Sequence, residues 1–201
     1  QDANTDAWRG TNFAGGSWSP ETVVYPSFLL EVVSCLQAAG HGGTILLVPA
    51  DPLQQAWRDH VRIKYPCVGI SAWAQIRSAI ALYDDGTGDR DRSQPVIHSG
   101  ETDGMALMRR FASLGAVDGA IVLSDRYDLY GFGAEIAVSA NVEQIVRDDG
   151  SAIPSDGFGT RHRAAFRFCA AHPEAMALVC SQDGAVRCVR NKSGVVYAYG
   201  F

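Results

Sequence analysis

The chain has 201 residues, of which 47% are hydrophobic and 19% are charged, and this composition fits one ordinary globular domain with a substantial core. Its formal net charge of −5 argues against a global basic surface, so we expect no nucleic-acid partner. It contains no apolar run of the about 18 residues that a membrane-spanning helix needs, so we expect no membrane segment. The five cysteines are odd in number and show no CxxC spacing, which predicts reduced core thiols and a cytoplasmic location.

The first part of the chain predicts an arm, a helix and a strand. Residues 1–24 show no periodicity and are expected to form an N-terminal arm ahead of a single domain over residues 25–201. Apolar residues recur at helical spacing from Ser27 to Ala39, which predicts a helix that Gly40 ends. The run from Thr44 to Val48, bounded by glycines and a proline, predicts a buried strand.

The middle of the chain predicts further helices and a polar loop. Asp51 to Tyr65 and Ser71 to Tyr83 are both expected to be helical. The loop from Asp84 to Ser93 has an acidic spacing, but it lacks the DxDxDG frame and terminal glutamate of a calcium loop, so we expect it to be a solvated surface loop. A helix from Asp103 to Leu114 then leads the chain to Asp118.

The next segment predicts a buried strand, a bent strand and a connection. Asp118-Gly119 stands before the apolar run from Ala120 to Leu123, which is typical of a turn that enters a buried strand. Leu129 to Val138 is expected to be a strand bent at its two glycines. Ala140 to Pro154 is expected to be a polar connection.

The C-terminal segment predicts a three-stranded β-meander after one more helix. Turn residues at Asp183-Gly184 and Ser193-Gly194 separate three apolar runs, which are Ala175 to Cys180, Ala185 to Val189 and Val195 to Tyr199. No P-loop or serine-hydrolase motif is present, and the glycines near Leu129 match only the front of a dinucleotide-binding fingerprint. The common nucleotide-binding folds are therefore excluded.

The helix expected from Asp156 to Pro173 begins with an unfavourable charge pattern. Gly157 and Gly159 precede it, Thr160 is the expected N-cap, and the first turn carries Arg161, His162 and Arg163. A cation at the positive end of the helix dipole costs about 0.3 to 1 kcal/mol, whereas an anion there is stabilised. The pattern predicts a phosphate site, with a solvated basic turn paired to nearby acids as the alternative.

Three short motifs resemble the diadenylate cyclase (DAC, or DisA_N-like) domain family. The string from Gly159 to Ala165, GTRHRAA, is similar to the family's GTRHRA signature. Upstream, Asp118-Gly119-Ala120 is similar to its DGA motif, and downstream Ser181-Gln182 resembles the Ser-Glu or Ser-Gln that closes its nucleotide pocket. The motifs stand in the family's order.

The resemblance implies an α/β (α+β) fold in which helices flank a mixed central sheet. It implies that two such domains meet face to face as a homodimer and condense two ATP molecules into cyclic di-AMP. Asp118, Arg161, His162 and Arg163 would be catalytic, and Asp118 and His162 would bind Mg²⁺ or Mn²⁺. The nucleotide would be bound by Gly119, Ala120, Leu129, Gly159, Thr160, Ser181 and Gln182.

Two departures from the family pattern leave a second function open. The segment from about residue 50 to residue 99 is longer than expected for the family and forms an apparent insertion. In addition, Ser181-Gln182-Asp183 replaces the family's frequent Ser-Glu-Glu. The alternative is a catalytically inactive sensor domain that binds ATP or a cyclic mono- or dinucleotide. Retention of Asp118 together with both arginines favours the enzyme.

Overall fold

The computed structural model describes residues 32–38, 40, 42–68, 70 and 109–200. The predicted arm over residues 1–24, the predicted helix from Ser71 to Tyr83 and the acidic loop lie outside the described residues. Most of the apparent insertion lies outside them as well.

The described residues contain more strands than helices. Helix α1 covers residues 32–38, α2 covers residues 109–114 and α3 covers Thr160–Ala171. The strands are β1 (Gly43–Val48), β2 (Val61–Arg62), β3 (Tyr65–Pro66), β4 (Ala120–Ser124), β5 (Leu129–Ile136), β6 (Gln144–Arg147), β7 (Ala152–Pro154), β8 (Met176–Cys180), β9 (Val186–Lys192) and β10 (Val195–Gly200).

These strands form one mixed sheet, in the order β2-β5-β4-β1-β8-β9-β10-β6-β7. The tenth strand, β3, also pairs with β5. Strand β1 runs parallel to β4 and antiparallel to β8, and β6 runs parallel to β10. The remaining neighbours are antiparallel. The predicted α+β class with a mixed central sheet is confirmed.

The sheet carries a hydrophobic core on each face, which explains why β1 and β4 are apolar runs without alternation. On one face, α1 and α2 contribute Val32, Leu36 and Phe111, which cluster with Ile45, Leu47, Ile121 and Leu123. On the other, α3 contributes Ala165, Phe166 and Phe168, which cluster with Leu46, Val48, Val122 and Val179. Each large apolar side chain buried in this way stabilises the fold by about 1.5 to 3 kcal/mol. The second of these cores holds α3 on its face of the sheet.

The predicted meander of β8, β9 and β10 is confirmed. Ser193 and Gly194 both have positive φ, 52° and 85°, in the two-residue turn between Lys192 and Val195. This is the combination that a type I′ hairpin turn requires, and its twist matches that of the flanking strands. The turn sequence therefore fixes the register of β9 against β10.

Two sequence predictions were wrong. The segment from Asp51 to Tyr65 is not one helix: it forms short 3₁₀ helices at Pro52–Gln54 and Ala56–His60 and then adds β2 to the edge of β5. The segment from Ala140 to Pro154 is not only a connection, because β6 and β7 form a hairpin that joins β10. In both cases tertiary pairing with a distant strand overrides the local pattern.

Within the described residues, none of the helices combines the length and apolar character that crossing a bilayer requires. All five cysteines are unpaired, as predicted. Cys169 and Cys188 are buried, and burial raises the pKa of the Cys188 thiol to about 12. Both act as small core side chains.

Candidate functional site

A cavity of about 380 Å³ lies between the N-terminus of α3 and the C-terminal end of β8. It is lined by Gly159, Thr160, Arg161, His162, Val179, Cys180, Ser181 and Gln182. Six of these eight residues come from two motifs that are separated in the sequence and were both predicted to bind nucleotide. The volume falls in the range of about 300 to 1,000 Å³ that small-molecule sites usually have.

The first turn of α3 presents backbone N–H groups to the cavity without a side-chain cap. The N-cap is Gly159 rather than the predicted Thr160, which is the first helical residue, and no side chain caps the helix. The first turn contains no acidic residue. Its open N–H groups and the helix dipole therefore favour an anion at this end.

The helix is held in this position by its buried face. His162, Ala165, Phe166 and Cys169 are buried at the spacing of one helical stripe. Helix α3 ends at Ala171. His172 caps it, with a backbone N–H that bonds to the carbonyl of Phe168, and Pro173 follows. Packing against the sheet thus sets where the first turn of α3 lies relative to β8.

Gly42 allows the Arg161 guanidinium to lie close to the backbone just before the central strand β1. A Cβ atom at Gly42 would lie 3.0 Å from Arg161 Nη1, 2.9 Å from the Cys180 carbonyl oxygen and 3.2 Å from the Gln182 nitrogen. Gly42 also has a φ of +64°, which L residues rarely adopt. The missing side chain at Gly42 therefore makes room for the arginine of the cavity.

His162 is buried, with an exposure of 7%, and is held by a cation on the neighbouring strand. Its Nε2 lies 3.3 Å from Arg187 Nη1, and its ring packs against Phe158 and Phe166. Burial is the main cause that lowers the pKa of His162, and the charge of Arg187 lowers it further, against an opposing effect of Asp183. The imidazole is therefore neutral at pH 7.

Arg163 does not line the cavity, although the motif that contains it does. It is half-buried, and its Nε is buried without a hydrogen-bond partner among the described residues. Its backbone N–H closes the first turn on the Gly159 carbonyl, 3.1 Å away. Its guanidinium contributes positive charge near the helix start.

Asp118 lies at the same end of the sheet as the cavity, on the far side of β1. Thr44 pairs with Ala120 on β4, and Gly43 pairs with Cys180 on β8. Two strand spacings, roughly 10 Å, therefore separate the start of β4 from the end of β8. Asp118 is exposed there. Asp118 is not part of the cavity lining.

The structure gives Gly119 and Ala120 packing contacts of their own. A Cβ at Gly119 would lie 2.5 Å from the Gly133 carbonyl carbon, so its close approach is to strand β5. Ala120 is 2% exposed and belongs to the core beneath α3. Neither residue lines the cavity. The close approach of β5 is sufficient to explain why position 119 is a glycine.

Leu129, the predicted adenine contact, does not line the cavity. It is buried among the core residues under α1 and α2, and it pairs with Leu123 near the C-terminal end of β4. The cavity lies at the opposite end of the sheet, because Gly43 at the start of β1 pairs with Cys180. The antiparallel register of β5 carries Leu129 away from the site.

Of the two residues predicted to bind a divalent cation, Asp118 and His162, only Asp118 is suited to do so. Mg²⁺ is commonly held by one or two carboxylates together with substrate phosphates, and Asp118 can serve in this way. His162 cannot serve while its Nε2 accepts a hydrogen bond from a guanidinium. In the described part of the chain, no three His, Cys, Asp or Glu side chains are grouped to hold a metal.

Two residues of the site were missed at the sequence level. Gly42 was treated only as a boundary of β1, and Arg187 was treated only as part of a strand of the meander. A glycine pair directly before a buried strand is a signal of close backbone approach and could have indicated Gly42. Nothing in the local sequence connects Arg187 to His162, since the contact depends on the packing of α3 on β9.

No family model matches the chain, and no curated protein matches it either. The structure is similar to the crystal structure of a hypothetical membrane spanning protein from Bacillus cereus, with a TM-score of 0.50 and 16% sequence identity. The match covers 86% of this chain and 62% of that chain. A second similar structure is a double mutant of DacA from Staphylococcus aureus, with a TM-score of 0.45, 13% identity and 87% of each chain covered. The likeness to the Bacillus cereus protein shows a common fold alone.

Proposed function

We propose that the chain is an adenine-nucleotide-binding domain of the diadenylate cyclase type, which condenses two ATP molecules into cyclic di-AMP. The observation that supports this most directly is the shared cavity, in which the start of α3 meets Ser181 and Gln182. The resemblance of those motifs to the DAC signatures supplies the identity of the nucleotide. The cavity by itself argues for a phosphorylated ligand.

The phosphates would lie at the first turn of α3. The uncapped N–H groups of this turn and the Arg161 guanidinium are hydrogen-bond donors suited to an anion. Ser181 and Gln182 would add neutral donors from the other wall. The low formal net charge of the chain, −5, does not oppose phosphate binding, because the positive groups that bind the phosphates are needed only at the site itself.

The reaction joins two such sites across a two-fold axis. The 3′-oxygen of one ATP forms a bond to the α-phosphorus of the other, the bond to pyrophosphate breaks, and the hydroxyl proton passes to Asp118. In the second step the 3′-oxygen of the other nucleotide forms a bond to the α-phosphorus of the first, and the bond to the second pyrophosphate breaks. This closes the ring and gives one cyclic di-AMP and two pyrophosphates in total. Mg²⁺ or Mn²⁺ at Asp118 would supply positive charge to the triphosphate when bound.

A sensor that binds the nucleotide without turnover is the second candidate. The observation that favours it is the contact between His162 and Arg187, because the second metal ligand implied by the resemblance is engaged by a cation. A binding domain needs the anion site but not the metal.

Incubation with ATP and Mn²⁺ or Mg²⁺, followed by mass spectrometry, tests the cyclase directly. The wild type should give cyclic di-AMP and pyrophosphate, and Asp118→Asn should bind ATP but give no product. Binding of ATP or cyclic di-AMP without any product from the wild type would establish the sensor. If calorimetry detects binding of neither nucleotide, both candidates are wrong.

Two glycines offer a matched test of where the ligand binds. Gly159 and Gly157 both lack a positive φ, and a Cβ at either would meet nothing within 4 Å, but only Gly159 lines the cavity. Gly159→Ala should therefore fold normally and weaken ATP binding by about tenfold or more, since a methyl group would occupy the approach to the N–H groups. Gly157→Ala should leave binding unchanged. Equal ATP affinity in the two variants would remove the ligand from this helix start.

A further inference from the structure

Arg187 is the cation that contacts His162, and its position follows from the sheet. It pairs with Val179 across β8 and β9, and its neighbour Val189, two residues along β9, belongs to the core under α3. Alternation along a strand puts both side chains on that face. Its guanidinium stacks over Phe158 at 5.3 Å and reaches His162 Nε2 at 3.3 Å.

The direction of this hydrogen bond is fixed by chemistry. A guanidinium has only donors, so His162 Nε2 must be the acceptor. A neutral imidazole has one donor and one acceptor nitrogen, and Nδ1 therefore carries the ring proton. Phe158 holds the guanidinium in place, because its ring packs edge-on against Phe166 in the core.

We propose that Arg187 is a positioning residue that fixes His162 as its neutral Nδ1–H tautomer, so that His162 meets a bound phosphate as a hydrogen-bond donor and not as a metal ligand. The inference rests on the proposed nucleotide function for the identity of the ligand. The ligand would then be a phosphate compound that the start of α3 binds through three kinds of hydrogen-bond donor. These are the Arg161 guanidinium, the backbone N–H groups and the His162 imidazole. The metal, where one acts, is restricted to the side of Asp118.

A purely structural role for Arg187 makes a different prediction. An arginine that only covers Phe158 would stabilise the protein and leave the ring protons of His162 unaffected. The tautomer of His162 is therefore the property that separates the two roles. It can be measured in the ligand-free protein, independently of any nucleotide.

The experiment is ¹⁵N nuclear magnetic resonance of the histidine rings in the full chain, with His162→Gln to assign the signals. The wild type should show the Nδ1–H tautomer of His162 at pH 7.5. Arg187→Met keeps an apolar chain over Phe158 but removes the donor, and should shift His162 toward the Nε2–H tautomer. Arg187→Lys restores a donor and should return part of the Nδ1–H signal. An Nε2–H or charged His162 in the wild type, or an unchanged tautomer in Arg187→Met, would overturn the proposal.

Two ligand measurements complete the test. Arg187→Met should lower ATP affinity by about tenfold, with part of the loss recovered in Arg187→Lys. Mn²⁺ added alone should not broaden the His162 signals of the wild type, and broadening there would also overturn the proposal. If the tautomer responds as expected but no nucleotide binds, Arg187 keeps its role toward His162 and the proposed function fails separately.

Discussion

Gly42 shows how the absence of one side chain shapes the cavity. Gly40 and Gly42 both have positive φ, 67° and 64°, but only Gly42 is crowded, by Arg161 and by the backbone that follows β8. Alanine at either position incurs backbone strain of about 1 to 2 kcal/mol. At Gly42 the new methyl group must also displace Arg161 or the end of β8.

The pair therefore gives a matched prediction. Gly42→Ala should lower the free energy of unfolding by about 1 to 3 kcal/mol more than Gly40→Ala, because overpacking adds to the same backbone strain. It should also weaken ATP binding, whereas Gly40→Ala should not. Urea unfolding and calorimetry measure the two effects. Equal losses of stability in both variants would show that the close approach to Arg161 contributes nothing.

Arg161 itself should matter more for the ligand than for the fold. Arg161→Ala should weaken ATP binding by about 1.5 to 3 kcal/mol, the usual loss for a hydrogen bond to a charged group. The free energy of unfolding without ligand should change by less than about 1 kcal/mol, because removal of a cation from the positive helix end offsets lost packing. Arg167, exposed on the same helix, provides the control variant Arg167→Ala. A destabilised Arg161→Ala with normal ATP affinity would contradict the phosphate role.

The residues of the site were predictable where a short motif contains them and not where packing assembles them. Arg161, His162, Ser181 and Gln182 stand in motifs, and the structure brings them to one cavity. Arg187 reaches the site from a strand whose sequence shows only alternation. Leu129 is an apolar residue expected to contact the adenine, but the register of β5 takes it to the other end of the sheet.

At the scale of elements, a pair of histidines links α3 to the segment before β2. His172 caps the C-terminal end of α3, and its Nε2 lies 2.9 Å from His60 Nδ1. Its Nδ1 lies 3.4 Å from Glu174 Oε1. Since His172 is 3% exposed, burial is the main cause that lowers its pKa, and the charge of His60 lowers it as well, whereas Glu174 raises it.

This link should make the protein sensitive to acid. Because the pKa of His172 is lower in the folded state, the unfolded chain takes up the proton first as the pH falls below about 6.5. Stability should therefore be complete above that pH and decrease below it, until the folded state is protonated too. His172→Gln should flatten this decrease, which thermal melts between pH 7.5 and 5 measure.

Glu174 supplies the control for the same link. Glu174→Gln removes the carboxylate that favours the protonated ring, so the pKa of His172 should fall further and the loss of stability should extend to lower pH. If His172→Gln and the wild type lose stability in parallel, His172 is not the group responsible. His162, also buried and neutral, would then be the next to test.

The elements themselves were predictable when the local pattern and the tertiary environment agree. β1 and β4 are apolar runs because both faces of the sheet are covered, and the meander has turn residues at its two bends. β6 and β7 were missed because only Ile145 is fully buried, Val146 and Ile153 are half-buried, and the other residues of the two strands are exposed. Their pairing with β10 stabilises an otherwise weak hairpin.

For the whole molecule, the proposed reaction needs two copies of the chain. Two sites that each hold one ATP can close cyclic di-AMP only when they face one another, which requires a two-fold contact during turnover. Specific activity should therefore rise with protein concentration until the dimer is saturated. Activity assays over a concentration series, with light scattering at the same concentrations, measure this. Constant specific activity from a strictly monomeric protein would contradict the face-to-face reaction.

The order of strands in the sheet also determines how the protein can reach its fold. Thr44 in the central strand β1 pairs with Ala120 on one side and with Val179 on the other. Contacts between residues so distant in the chain form slowly, because the long intervening loops must close first. The meander of β8, β9 and β10 is local by comparison and can form early. During synthesis, β1 and β4 leave the ribosome before the strand that covers the second edge of β1. The nascent chain therefore carries an unpaired apolar edge on β1 until β8 has been made, and we expect this edge to be the part of the chain most prone to aggregation during synthesis.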